Sequence, residues 1–128
     1  MKYIVYLIVC ENLYYIGMTN NFLRRIQQHN GILSGGAKFT KQKKDWNPIL
    51  IIDGFETKSE AMQCEWGFKN RRGYNLKGIE GRFKKLEFLL NKNKWTNQSR
   101  FIKDQNLKIY VKNEYKKNIK VSTHELDW

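Results

Sequence analysis

Several residue types and patterns are scarce in this 128-residue sequence, and their scarcity excludes whole classes of protein. One proline and nine glycines are too few for a collagen-like or low-complexity chain. No apolar run approaches the roughly twenty residues that a membrane-spanning helix needs. The two cysteines, Cys10 and Cys64, cannot form a zinc-binding cluster. Because both lie in apolar segments, we expect buried free thiols in a reducing intracellular compartment, the cytoplasm or the nucleus.

Acidic residues are also scarce, since 12 Asp and Glu face 24 Lys and Arg, which leaves a net charge of +12. This excess predicts a polyanionic partner, either nucleic acid or an anionic membrane surface. The sequence has no long amphipathic basic helix, so we expect no membrane partner. Residues 67–100 hold ten bases against two acids, and residues 49–66 hold four acids against one lysine. This division suits a nuclease, although a solvated lysine-rich surface gives the same pattern.

The sequence does contain the strand and helix signals of an α/β (α+β) domain. Tyr3–Cys10 is a continuous run rich in β-branched and aromatic residues, which predicts a strand buried on both faces. Residues 13–16 and 49–52 are further predicted strands, and the first of these forms a hairpin with Tyr3–Cys10 that ends at Gly17. A long polar loop separates the first predicted helix from the third strand. Loops of this length more often have a functional than a structural role.

Helices are predicted from caps and from apolar periodicity. They cover about residues 22–30, 58–71 and 79–92, the first capped by Asn20 or Asn21 and the second by Thr57. On the first helix we expect the inward side chains to be Phe22, Leu23 and Ile26, and on the third we expect the outward ones to be Lys84, Lys85 and Lys92.

The first helix places two cationic side chains at the border of its apolar face. At about 100° per residue, Arg25 and His29 lie together just beyond the apolar stripe, whereas Arg24 points away from it. A guanidinium and an imidazole four residues apart are suited to bind a phosphate at the rim of a cleft. The alternative, more common for such a pair alone, is an exposed arginine beside a histidine near the helix C-terminus.

The second helix places Glu65 between Ala61 and Met62, on the side that also carries Phe68. Its carboxylate therefore projects from the apolar face, where an isolated charge is unfavourable and needs a metal ion or a cationic partner. Carboxylate oxygen is the ligand type that Mg²⁺ prefers. Lys69, one turn further on, is the alternative partner, and the sequence supports it equally well.

Five short segments occur in a fixed order: VYLI at residues 5–8, YIG at 15–17, RRIQQHN at 24–30, GGAKFT at 35–40 and CEWGFK at 64–69. Together they resemble the GIY-YIG nuclease superfamily, and within it the structure-specific endonucleases that cut branched DNA. The resemblance implies a three-stranded antiparallel sheet flanked by helices. From the sequence itself we expect residues 1–94 to form the nuclease domain and residues 95–128 a basic C-terminal extension, with helical and short-strand structure, packed on the same domain. The late strand is predicted from Leu107, Ile109 and Val111, which alternate with polar neighbours.

The resemblance also implies roles for particular residues. The catalytic group would be Tyr6, Tyr15, Arg25, His29 and Glu65, although the first half-motif reads IVY here rather than GIY. Glu65 would bind the metal, Mg²⁺ with Mn²⁺ as a substitute. Lys38 would lie near DNA, as a basic residue does in this branch of the family. From their charge and position we also expect DNA contacts from other basic residues of the long loop and of the end of the second helix: Lys41, Lys43, Lys44, Lys69, Arg71 and Arg72. The eukaryotic structure-specific endonucleases carry a cysteine-rich zinc domain after the nuclease domain, and this sequence lacks those cysteines. The sequence itself does not indicate a protein partner.

These residues predict a metal-dependent DNA endonuclease that hydrolyses phosphodiester bonds in branched or flapped DNA. A free tyrosine, with a pKa of about 10, needs a nearby cation or a proton acceptor to act as a base. We expect Tyr6, hydrogen-bonded to His29, to be that base and Tyr15 to position the phosphate, although the two roles are exchangeable. The alternatives are a DNA-binding module of the same fold that does not cut, and a sequence-specific nuclease of the same superfamily.

Overall fold

A computed structural model describes residues 2–70 and 77–127 and shows an α/β fold in which a five-stranded sheet lies between helices. Short 3-10 helices occupy Thr40–Gln42, Ile102–Asp104 and Asn113–Asn118. The strands are β1 (Tyr3–Cys10), β2 (Leu13–Thr19), β3 (Asn47–Phe55), β4 (Lys108–Val111) and β5 (His124–Glu125), and the helices are α1 (Phe22–His29), α2 (Lys58–Lys69) and α3 (Gly78–Lys92).

The sheet has the order β2-β1-β3-β4-β5, with β1 between its two antiparallel neighbours β2 and β3. The predicted three-stranded antiparallel sheet is therefore present as the part β2-β1-β3, but the prediction of three strands is wrong. The late strand β4 pairs antiparallel with β3, and β5 pairs parallel with β4. Pairing with β4 covers the outer edge of β3, whose N–H and C=O groups would otherwise be open to another chain.

Two apolar clusters cover the two faces of the sheet. One contains Tyr6 and Trp46 together with Phe22 and Ile26 from α1. The other is larger and packs α2 and α3 against the sheet, through side chains such as Phe68 and Phe83. The continuous apolar run of β1 follows from this arrangement, because its alternate side chains enter both clusters.

The helix caps agree with the sequence, but two predicted side-chain directions are wrong. Asn21 caps α1 by accepting a hydrogen bond from the Arg24 N–H, and Thr57 caps α2 in the same way. Leu23, expected inside, is 60% exposed, because the eight-residue α1 turns only a narrow stripe to the sheet. Lys85, expected outside, is buried, with its Nζ 5.5 Å above the Phe88 ring. A long apolar stem lets a lysine lie inside a fold in this way.

The C-terminal segment adds to the core as well as to the sheet. Val111, Ile119 and Leu126 are buried, and Lys120 N–H donates to the Glu87 carboxylate on α3 at 2.7 Å. Within residues 2–70 and 77–127, none of the helices has the length and apolar character needed to cross a bilayer. Cys10 and Cys64 are free and buried, as expected.

Candidate active site

Two tyrosines and a histidine meet at the β2 edge of the sheet. Tyr6 pairs with Gly17 across the hairpin and Ile8 pairs with Tyr15, so the two tyrosines are diagonal neighbours on one face. Their ring centroids are 6.5 Å apart. The His29 ring, from the last residue of α1, lies 5.7 Å from the Tyr6 ring and 5.0 Å from the Tyr15 ring.

A chain of buried hydrogen bonds starts at Tyr6. Its hydroxyl lies 2.7 Å from His29 Nε2, which is the contact expected from the sequence. On the other side of the ring, Nδ1 lies 2.8 Å from the hydroxyl of Thr40. The Thr40 hydroxyl donates to the carbonyl oxygen of Ala37 at 3.0 Å. These hydrogen bonds therefore link strand β1, helix α1 and the polar loop.

The direction of these hydrogen bonds fixes the tautomer of His29. A threonine hydroxyl has one proton, and here that proton is donated to Ala37, so the Thr40 oxygen must accept from Nδ1–H. Nε2 of the neutral ring is then an acceptor, and the Tyr6 hydroxyl donates to it. One oxygen lone pair of Tyr6 accepts from Arg25, and the other remains able to accept a proton from another group.

Burial shifts the pKa values of both partners in opposite directions. Burial raises the pKa of Tyr6 above its usual value, and a hydrogen bond and the positive charge of Arg25 partly offset that rise. Burial, and secondly the charge of Arg25, lower the pKa of His29 to about 4. At neutral pH the pair is therefore a neutral phenol that donates to a neutral imidazole.

The lowered pKa of His29 predicts a pH-dependent stability. In the unfolded chain His29 has a pKa of about 6.5, so it binds a proton between about pH 6.5 and pH 4, where the folded protein keeps it neutral. The stability that depends on a neutral His29 is therefore fully present only above about pH 6.5. This contribution is lost as the pH falls towards the folded pKa of about 4. Between pH 7 and pH 5 we expect the free energy of unfolding to fall by about 2 kcal/mol on this account.

Urea unfolding at several pH values measures this loss, and His29→Gln provides the comparison. The variant should show a shallower loss of stability between pH 7 and pH 5 than the unchanged chain. The control is His124→Gln, because His124 is the second of the two histidines and lies exposed at β5. Equal slopes for all three proteins would contradict a buried, neutral His29.

A glycine brings the backbone of β2 against the Tyr6 hydroxyl. A Cβ added at Gly17 would collide with Tyr6 Oη and would lie 2.6 Å from Tyr6 Cζ and 3.0 Å from Tyr15 Cε2. A side chain at this position would therefore displace one tyrosine or both. The YIG segment thus has a steric meaning here, since its glycine leaves space for the hydroxyl of the other half-motif.

The two arginines of α1 differ as the helical wheel predicts. Arg24 is exposed, whereas Arg25 is half-buried and its Nη1 donates to Gln28 Oε1 and to the Gly35 carbonyl oxygen, both at 3.0 Å. These contacts hold the guanidinium between α1 and the polar loop, on the Tyr6 side. A guanidinium has five N–H donors, so further donors remain beyond those of Nη1.

Glu65 reaches the same edge of the sheet from α2. Its carboxylate is partly buried, with 24% of the side chain exposed, and its charge acts on Tyr6. Lys69 Nζ lies 3.6 Å from Glu65 Oε2 and 5.2 Å from the centre of the Tyr15 ring. Lys69, one of the two partners expected from the sequence, therefore pairs with Glu65. The carboxylate stays partly exposed, so the pairing also leaves it accessible to the other expected partner, a metal ion.

The donor set at this edge fits one hard divalent cation. The described part of the chain has no cluster of three or more metal-binding side chains. A zinc-like protein cage is therefore absent there. Mg²⁺ does not need such a cage, since it usually retains several waters and is held by one or two carboxylates and by substrate phosphates. Glu65 satisfies that requirement.

The predicted DNA-contacting lysines divide into groups. Lys41, Lys43 and Lys44 line a groove of about 350 Å³ that also contains His29. Lys43 is paired with Glu11 at 3.1 Å, and Lys38 is exposed on the same loop outside this groove. Lys69 is next to Glu65, as described above. Arg71 and Arg72 lie outside the described residues.

Sequence reasoning did not single out Thr40 or Gln28. Thr40 is fully buried, and it ends the GGAKFT segment in which only Lys38 was considered as a site residue. A polar loop gives no periodic pattern from which its buried member can be recognised. Gln28, which holds Arg25, was one of several polar residues on α1.

Comparison with known proteins identifies the family of this chain. Residues 2–78, more than half of the chain, match the GIY-YIG catalytic domain family. The chain therefore belongs to the GIY-YIG family.

Several curated relatives are similar to this part of the chain. A structure-specific endonuclease subunit SLX1 homolog of Giardia intestinalis is 45% identical over 62 residues, 47% of this chain and 17% of the relative. The structure-specific endonuclease subunit slx1 of Aspergillus terreus is 38% identical over 75 residues, 57% of this chain and 19% of the relative. That of Schizosaccharomyces japonicus is 43% identical over 70 residues, with 52% and 26% covered. The matched segment thus spans about a fifth of these relatives' length.

Proposed function

We propose that this chain is a divalent-metal-dependent DNA endonuclease that hydrolyses phosphodiester bonds at branches or flaps, with Mg²⁺ as its cofactor and Mn²⁺ as a substitute. The observation that carries the proposal is the series of buried hydrogen bonds from Tyr6 through His29 to Thr40, in which Tyr6 is subject to the charges of Arg25 and Glu65. A hydrogen-bonded phenol, an imidazole acceptor, a fixed guanidinium and a carboxylate are the groups that this hydrolysis requires.

The hydrogen-bond directions suit a proton relay through Tyr6. As a water oxygen bonds to phosphorus, the water gives a proton to Tyr6 Oη, and Tyr6 gives its own proton to His29 Nε2. The bond from phosphorus to the leaving oxygen breaks, and that oxygen takes a proton from solvent. Such a relay avoids a free tyrosinate, which the raised pKa of Tyr6 disfavours. A bound phosphate, being anionic, would also favour the protonated form of His29.

The remaining side chains act on charge and position. Arg25 donates to the phosphate oxygens as negative charge develops, while Gln28 and Gly35 keep its guanidinium in place. Tyr15, less buried than Tyr6, positions the phosphate through its hydroxyl. A divalent cation held by Glu65 would polarise the phosphate and stabilise the leaving oxygen.

Two observations support branched DNA as the substrate. The similar proteins are named structure-specific endonuclease subunits. The basic side chains of the loop line a groove beside His29, and such contacts fall on phosphates, which carry no sequence information. Recognition of DNA shape, with sequence-tolerant and salt-sensitive binding, follows from contacts of this kind.

The experiment is cleavage of a flap, a fork, a four-way junction and a linear duplex that share one sequence. We expect the branched substrates to be cut faster, at positions fixed relative to the branch. An unrelated sequence placed in the same junction should leave the cut sites unchanged. Cuts that follow one short sequence into linear duplex would instead identify a sequence-specific nuclease.

Arg25 and Arg24 give a matched pair of variants on one helix. We expect Arg25→Ala to lower the single-turnover cleavage rate by roughly a hundredfold or more, because a contact to the transition state is lost. Arg24→Ala should mainly weaken binding, and its effect should fade at saturating protein. Equal effects of the two variants on the rate at saturation would contradict the assignment of Arg25 to the site.

A further inference from the structure

A second groove, of about 480 Å³, runs along β2 and reaches the lysine loop only at Phe39. It shares Tyr15 and Lys69 with the site, and Lys69 is the residue that pairs with Glu65. Tyr14, Phe39 and Arg82 also line it. A phosphate at Glu65 would therefore have the next nucleotide of its strand at the mouth of this groove.

Phe39 gives the groove an exposed aromatic ring. Its side chain is 42% exposed, although it belongs to the loop that buries Thr40. The ring is nearly parallel to that of Tyr15, at 20° and with centroids 6.3 Å apart. An exposed phenylalanine beside a phosphate-binding site is well placed to stack on a base, and stacking is sequence-tolerant because every base has a π-face.

Two cations stand over the tyrosines of the groove. Lys69 Nζ is 5.2 Å from the centre of the Tyr15 ring, and Arg82 Cζ is 5.4 Å from that of Tyr14. Arg82 is almost fully buried, and its Nη1 donates to the Phe68 carbonyl oxygen at 2.8 Å. Its Nε has no hydrogen-bond partner among residues 2–70 and 77–127. The groove thus combines apolar rings with fixed positive charge.

We propose that this groove binds one unpaired nucleotide of the DNA substrate, adjacent to the phosphate that is cut. Its base stacks on Phe39 and its phosphate lies against Lys69, while the buried charge of Arg82 adds to the positive potential of the groove. The volume suits a single nucleotide rather than a duplex, so the groove selects DNA that supplies an unpaired nucleotide at the branch. The proposal rests on the proposed function and identifies what the enzyme recognises in a branch.

The test uses 2-aminopurine, whose fluorescence falls when it stacks on an aromatic ring. A set of flap substrates carries it at one position each, on both sides of the branch, and each is bound to the Glu65→Gln protein without being cut. We expect quenching at one unpaired position next to the cut site. Adding Phe39→Ala should remove that quenching and weaken binding about fivefold or more, and Phe39→Tyr should restore both.

Phe101→Ala is the matched control, because Phe101 is also an exposed phenylalanine, 47% exposed, with Lys94 and Lys103 beside its ring but outside the groove. It should leave the quenching and the affinity unchanged. Tight binding without quenching at any position, or quenching that persists in Phe39→Ala, would overturn the nucleotide site alone. Absence of DNA binding by anisotropy, together with absence of cutting by the unchanged chain, would overturn the proposed function as well.

Discussion

Replacing Glu65 by glutamine is expected to lower the cleavage rate by about a thousandfold or more while DNA binding changes little. Glutamine keeps the shape of the side chain but removes the anionic oxygens that Mg²⁺ prefers. Loss of the metal's stabilisation of the transition state amounts to several kcal/mol, and about 4 kcal/mol corresponds to roughly a thousandfold in rate. Single-turnover cleavage measures the rate, and fluorescence anisotropy measures the binding.

Glu80→Gln is the control for this variant. Glu80 also pairs with the lysine four residues later, Lys84, at 3.9 Å, but on α3 and with 73% of its side chain exposed. Its replacement should leave cleavage unchanged. That result would show that the loss of a helical ion pair alone does not cause the slow cleavage expected of Glu65→Gln. If Glu65→Gln cuts as fast as the unchanged chain at limiting Mg²⁺, Glu65 does not bind the metal.

The second large effect is expected for Tyr6→Phe, which removes the hydroxyl at the start of the hydrogen-bond chain. We expect the cleavage rate to fall by about a hundredfold to ten-thousandfold, the range for loss of a general acid–base group. The ring still fills its place in the core, but His29 Nε2 loses its buried donor, so we expect the free energy of unfolding to fall by about 1–3 kcal/mol, and cleavage is compared under conditions in which both proteins are folded. Tyr15→Phe should cost less, because it removes a positioning contact, and the reverse order would exchange the roles of the two tyrosines.

Thr40 tests the other end of the same chain. Thr40→Ser retains the hydroxyl that accepts from His29 Nδ1–H and should retain activity. Thr40→Ala frees the ring to adopt the other tautomer, in which Nε2 carries the proton and cannot accept one from Tyr6. We expect a loss of about ten- to a hundredfold, typical of groups that orient a functional histidine. An equal loss in the serine variant would indicate a packing role instead.

Local signals predicted the elements that surround the site. The β-branched run of β1 and the caps Asn21 and Thr57 are short-range features, and the structure contains each of them. Strand ends were less accurate, since β2 runs to Thr19 and β3 covers Asn47–Phe55, beyond the predicted residues. The pairing of β3 with β4 depends on segments far apart in the chain, and so the sheet's full width was not predicted.

The residues of the candidate site were also predicted only in part. The resemblance supplied Tyr6, His29 and Glu65, and their meeting at one edge follows from the hairpin register and from the lengths of α1 and α2. Thr40 and Phe39 were missed because a polar loop gives no pattern that separates a buried hydroxyl from an exposed ring. Their neighbours are set by how the loop folds back over α1 and β2, which is a tertiary property.

The central claim, that these side chains form a metal-dependent DNA-cutting site, is tested most directly with the unchanged chain and one labelled flap substrate. The protein is bound to the DNA in EDTA, binding is verified by anisotropy, and excess Mg²⁺ is then added to the same sample. We expect intact DNA before the addition and cleavage after it, with Mn²⁺ as an effective substitute. A stable complex whose DNA stays intact with either metal would contradict the claim and would identify a non-cutting DNA-binding module of the same fold.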